Sequence, residues 1–164
     1  MRDRKLPLLL SLGFALALLV RLMLVADSLP ERVASHFDFG GHPDGFQSRH
    51  TFVWTTLLLD LALLTLALGL PWLVSRIPLR HLNLPHKEYW FAPERRAASE
   101  ARLLAWVSWF TCASIGLMCG IFELVIRANL RGGPLSYQAW LLLASYTLFM
   151  LFSSVGMLRA FRRP

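Results

Sequence analysis

Four runs of about twenty apolar residues constrain this chain more than any other feature: Leu6–Ala26, Phe52–Val74, Leu103–Ile126 and Tyr137–Leu158. A helix rises about 1.5 Å per residue and a bilayer's hydrocarbon core is about 30 Å thick, so each run is long enough to cross. Of the 164 residues, 55% are hydrophobic and only 16% charged. A soluble domain of this size cannot hide that much apolar surface. The expected fold is therefore an all-α integral membrane protein, one membrane domain over 1–164. It has four transmembrane helices, a short strand-and-turn extracytoplasmic loop over 27–51 between the first two, and a cytoplasmic loop over 75–102. The first run follows MRDRK, as a signal peptide would. It is too long for a secretory apolar region, Arg21 interrupts its far end, and no small-residue cleavage site stands out, so an uncleaved span is expected.

The formal net charge is +7, which in a soluble chain would point to nucleic acid. Here the cations sit between apolar runs, the pattern that orients a membrane protein, and nucleic-acid binding is not expected. Arg2, Arg4 and Lys5 precede the first run; Arg76, Arg80, Lys87, Arg95, Arg96 and Arg102 lie in or beside the middle loop; Arg159, Arg162 and Arg163 close the chain. The other side holds only Arg32, Arg49, Arg127 and Arg131. Both termini and the middle loop are thus expected in the cytoplasm, with the 27–51 loop outside. Cys112 and Cys119 lie seven apart in one apolar run, about 10 Å along a helix, which is beyond disulfide reach.

The outer loop carries most of the chain's histidines, in SHFDFGGHPDGFQSRH, Ser35–His50. Around Arg32–Phe39 the residues alternate, with Val33, Phe37 and Phe39 on one side and His36 and Asp38 on the other, which predicts a short strand. Gly40-Gly41 and Pro43-Asp44-Gly45 supply turn chemistry, with the aspartate of the turn expected to bond nearby amides. His36, Asp38, His42, Asp44 and His50 are of types that ligate zinc and related ions. No HExxH or CxxC framework accompanies them, so no metal or cofactor is assigned; turn structure and recognition of a ligand or partner stand ahead of coordination.

The run LPERVASHFDFGGHPDGFQSR resembles the signature of a bacterial membrane family known as domain of unknown function 1648, through Pro30, His36, Phe37, Gly41, Pro43, Asp44, Gly45 and Arg49. NLPHKEYWFAPERR, Asn83–Arg96, is similar to an Asn-x-Pro-x-Lys-x-Tyr-Trp segment of some members. The resemblance spans the first helical hairpin and the middle loop. It implies a bacterial cytoplasmic (inner) membrane location and no particular activity. Distantly similar Sdp-type immunity proteins protect a toxin-producing cell and hold a repressor at the membrane, which implies an immunity or signalling role as one alternative.

Arg21, Asp60 and Glu123 interrupt the apolar runs. An isolated charge at a helix centre costs about 2.5–3.5 kcal/mol on insertion scales, so the three are expected either as a packed ion cluster or as a polar pocket for a ligand, ion or proton beneath the loop. Gly116 and Gly120 give a close-packing stripe, usable within the bundle or for self-association. Tyr89, Trp90 and Phe91, beside Lys87, Arg95 and Arg96, suit a segment lying on an anionic leaflet.

No Ser-His-Asp arrangement or phosphate loop is assigned. The expected function is that of a non-enzymatic membrane protein in contact with the lipid bilayer. It is expected to bind or sense a ligand or protein partner at its outer face through His36, Asp38, His42, Asp44, Arg21, Asp60 and Glu123. Service as a small subunit of an envelope or transport assembly fits this reading, and a metal-dependent hydrolase using His36, His42 and Asp44 is the enzymatic alternative.

Overall fold

The computed structural model describes residues 4–162. Arg2 and Arg163, two of the cations counted above, lie outside them. Four helices are each long and apolar enough to cross a membrane. They are α1 (Lys5–Val25), α2 (Arg49–Val74), α4 (Arg96–Arg131) and α5 (Gln138–Ala160), with a four-residue helix α3 (Lys87–Trp90) in the middle loop. Between α1 and α2 stand two antiparallel strands, β1 (Arg32–Phe37) and β2 (Pro43–Ser48). The fold class read from the sequence holds, with one addition: the loop predicted as one strand and turns is a complete β-hairpin.

Local chemistry sets the boundaries. Ser48 caps α2 by accepting from the Thr51 amide, which begins the helix three residues before the apolar run. Gly132, at φ +63°, ends α4, and the Gly133 amide returns to the Ala128 carbonyl. The α4 helix is 36 residues, about 54 Å, well beyond the about 30 Å a bilayer core requires. Its last turns therefore project past the apolar run predicted to end at Ile126, and they carry the residues that hold the hairpin.

The α4 helix occupies the centre. It packs on α1, α2 and α5; α1 and α2 pack on each other, while α5 leans chiefly on α4. Gly116 permits the approach of α1, where an added Cβ would stand 3.2 Å from the Phe14 ring. Gly120 does the same for α5, where an added Cβ would stand 2.9 Å from Leu142. Both small residues are thus used inside the chain, as close packing between lipid-immersed helices requires.

At the hairpin end, Leu18, Leu22, Val25, Leu29, Val33, Phe52, Val125 and Ile126 form one core in which α1, β1, α2 and α4 meet. At the opposite end Phe91, Met157 and Phe161 form a second. The middle loop is tied there by Trp90 Nε1 donating to the Phe161 carbonyl at 2.9 Å and Ser99 Oγ donating to the Trp90 carbonyl at 2.7 Å. Trp90 and Phe91 thus turn onto the protein, both packing against Phe161. Of the three aromatics, Tyr89 remains on the surface, with the Arg95 guanidinium 4.0 Å from its ring centre.

Candidate functional site

The hairpin is fixed to the helices on one face. Val33 is fully buried in the shared core, and removing such a side chain from water is worth about 1.5–3 kcal/mol. Asn129, in the last turns of α4, clamps the strand. Its Oδ1 accepts from the Ala34 amide at 2.7 Å, and its Nδ2 donates to the Ala34 carbonyl at 2.8 Å and to the Val125 carbonyl at 2.9 Å. The Leu135 amide donates to the Gly41 carbonyl at 2.8 Å, joining the hairpin tip to the segment before α5. Arg49 Nη1 donates to the Asp27 and Leu29 carbonyls at 2.8 and 3.2 Å, binding the start of α2 to the segment that follows α1.

Two bulges shape the other face. Ala34 pairs with Phe46, His36 with Gly45 and Phe37 with Pro43, so Ser35 on β1 and Asp44 on β2 are each an extra residue. The predicted alternation does not hold: Val33 and Ala34 are both buried, and Phe39, beyond the end of β1, is exposed and stacks on Trp140 with ring centres 5.8 Å apart. The second bulge places Asp44 beside His36, Oδ1 to Nδ1 at 2.5 Å. Gly45 is required opposite His36, since an added Cβ would stand 2.8 Å from the His36 Cβ.

Pro43-Asp44-Gly45 is therefore strand, not turn, and correcting that reading relocates the cap. The chain reverses over Asp38–His42: the Gly41 amide donates to the Asp38 carbonyl at 3.0 Å and the Asp38 amide to the His42 carbonyl at 2.9 Å. Gly41 sits at φ +80°, a conformation glycine adopts without strain, in the pattern of a three-residue hairpin loop. Asp38, not Asp44, bonds the turn: its Oδ1 accepts from the His42 amide at 2.8 Å, which holds the carboxyl below its ordinary range. Its Oδ2 lies 3.6 Å from His42 Nδ1.

The hairpin thus presents two His–Asp pairs on its free face, with the His36 and His42 side chains about three-quarters exposed at 74% and 75%. Asp44 hydrogen-bonds His36 Nδ1, whereas Asp38 stands near His42 Nδ1 only as a charge neighbour. His36, Asp38, His42, Asp44 and His50 do not converge, and among the described residues no group of three or more His, Cys, Asp or Glu side chains is arranged to hold a metal. His50 stands apart, accepting from Trp54 Nε1 at 2.8 Å.

Below the hairpin, Arg21 of α1 and Glu123 of α4 meet at 2.9 Å, and Arg127 closes on the other Glu123 oxygen at 2.6 Å. Asp60 does not join them. It faces α4 from α2, 8% exposed, with the Cys119 thiol 4.0 Å away as its one polar contact among the described residues. One turn before it, the buried Thr56 hydroxyl has no hydrogen-bond partner among the described residues. Of the three charges that interrupt the apolar runs, Arg21 and Glu123 pair, with Arg127 as a second cation on Glu123, while the Asp60 carboxyl stands apart; they do not form a single triad.

Asn129, Arg127 and the Leu135–Gly41 contact were not anticipated from the sequence. Arg127 follows Glu123 by one helical turn, a readable signal for an ion pair. Asn129 carried a fainter one, an amide closing an apolar helix; its partner Ala34 has no distinguishing side chain at all.

Residues 12–59 match the family described as "Domain of unknown function (DUF1648)", which bears out the resemblance for α1, the hairpin and the start of α2. The middle-loop segment Asn83–Arg96 lies beyond the matched residues. No curated protein and no solved structure matches the chain.

Proposed function

We propose, taking a DUF1648 segment folded as a clamped hairpin as the starting point, that this is a non-enzymatic membrane protein that binds a ligand or protein partner on the exposed face of that hairpin. The observation that carries this reading is the contrast between the hairpin's two faces. One is locked by Asn129, Val33 and the Leu135 amide; the other holds His36–Asp44 and His42–Asp38 outward. Polar side chains displayed on a rigid scaffold favour recognition, because little ordering entropy is lost on binding. The lysine and arginine distribution supports an orientation with this face outside a bacterial inner membrane and both termini in the cytoplasm. Sensing or immunity toward a secreted factor and service as a subunit of an envelope assembly are both forms of this reading.

Co-purification in gentle detergent from native membranes, wild type against the double variant His36→Ala/His42→Ala, tests it. A partner retained by the wild type and lost from a folded variant is expected. An identical set of co-purifying molecules from both would contradict the assignment to this face.

A further inference from the structure

The end of the bundle opposite the hairpin holds a cavity of about 260 Å³ between α1, α2 and α4, lined by Ser11, Ser108, Thr111, Ala67, Leu8 and Leu68, with Arg4, Lys5 and Pro71 also on its wall. Its three hydroxyls are buried, and each donates its proton to its own helix backbone: Ser11 to Pro7, Ser108 to Leu104, Thr111 to Val107 and Ser108. What they offer the cavity is lone pairs. Pro71 adds another acceptor. It has no N–H, so the Ala67 carbonyl one turn earlier lacks its helical donor. The cavity therefore combines hydrogen-bond acceptors in its interior with two cations.

A ligand that satisfies both parts is an anion that also carries donor groups. Arg4 and Lys5 stand at the start of α1, and Pro71 stands near the end of α2, so the cavity lies at helix ends, where lipid headgroups sit. Its volume is below the about 300–1,000 Å³ of sites for drug-sized ligands, which suits a headgroup whose chains remain in the bilayer. We infer that this cavity is a site for the headgroup of an anionic, hydroxyl-bearing phospholipid. The phosphodiester meets Arg4 and Lys5, and the two headgroup hydroxyls donate to acceptors among Ser11, Ser108, Thr111 and the Ala67 carbonyl.

Native mass spectrometry of the full chain in mild detergent tests this, with phosphatidylglycerol and phosphatidylcholine of identical acyl chains as probes. Several-fold greater retention of phosphatidylglycerol is expected. Arg4→Gln/Lys5→Gln abolishes that preference, whereas Arg159→Gln/Arg162→Gln, the same charge change at the end of α5, preserves it. Ser108→Leu fills the cavity and lowers phosphatidylglycerol retention with both cations in place. Equal retention of the two lipids by the wild type would overturn the assignment, as would a preference that survives Arg4→Gln/Lys5→Gln. Thermal stabilisation by inorganic phosphate equal to that by phosphatidylglycerol would also overturn it, by marking a site for free anions.

Discussion

Asn129 does for the hairpin what a neighbouring strand would do for a sheet: it supplies both a donor and an acceptor to one backbone unit, Ala34. Its replacement by leucine strands two partly buried backbone groups, at about 1–3 kcal/mol each. Asn129→Leu is therefore expected to lower the melting temperature in detergent and to expose the hairpin to proteolysis, with Asn129→Asp intermediate because it keeps the acceptor. Asp38 predicts a pH dependence. Its folded carboxyl titrates below its unfolded value, so the stability it lends the turn is complete above the ordinary aspartate pKa of about 3.9 and is lost as pH falls through the lower folded value. The protection of the His42 amide against hydrogen exchange, taken relative to its intrinsic rate at each pH, should fall in that acid range. Asp38→Asn, which cannot titrate, should flatten the profile; an unchanged profile would contradict the assignment.

Between elements, the Glu123 cluster is asymmetric in a way that mutation can read. Removing Arg21 leaves Glu123 still paired with Arg127, whereas removing Glu123 leaves two arginines side by side without their shared anion. Glu123→Leu should destabilise α1 against α4 more than Arg21→Leu does, measured by melting in detergent. The Gly41 contact makes a second prediction. An added Cβ would stand 2.8 Å from the Leu135 carbonyl oxygen at a backbone conformation that L residues rarely adopt. Gly41→Ala should therefore loosen the link from the hairpin to α5, seen as faster hydrogen exchange at the Leu135 amide while the α1–α2 core keeps its protection. The strand forecast at Arg32–Phe39 was legible from the alternation of residue types in the sequence, although the burial of neighbouring Val33 and Ala34 does not follow that alternation. The bulges at Ser35 and Asp44 were not, since a bulge is a response to cross-strand fit and neither residue type announces it.

Taken whole, the molecule displays two exposed His–Asp pairs at one end and holds a basic, hydroxyl-lined cavity at the other. The lysine and arginine count predicts that reporters fused after His42 and after Ala98 lie in opposite compartments; reporters in the same compartment would refute the proposed orientation. Four helices long and apolar enough to cross a membrane were readable from residue order, because crossing a bilayer demands about twenty apolar residues in succession, a strictly local requirement; the DUF1648 likeness was readable from the loop motif. The candidate site was half legible. His36, Asp38, His42 and Asp44 were visible as chemistry, but their division into two pairs depends on strand register. The separation of Asp60 from Arg21 and Glu123 was hidden for the same kind of reason: residues at similar depth meet only if their helices present them to the same groove. Which helix lies at the centre, which glycine admits which neighbour and which amide holds the hairpin are contacts between residues far apart in the chain. Folding alone decides them, because they are set by how surfaces fit and not by any local run of residues.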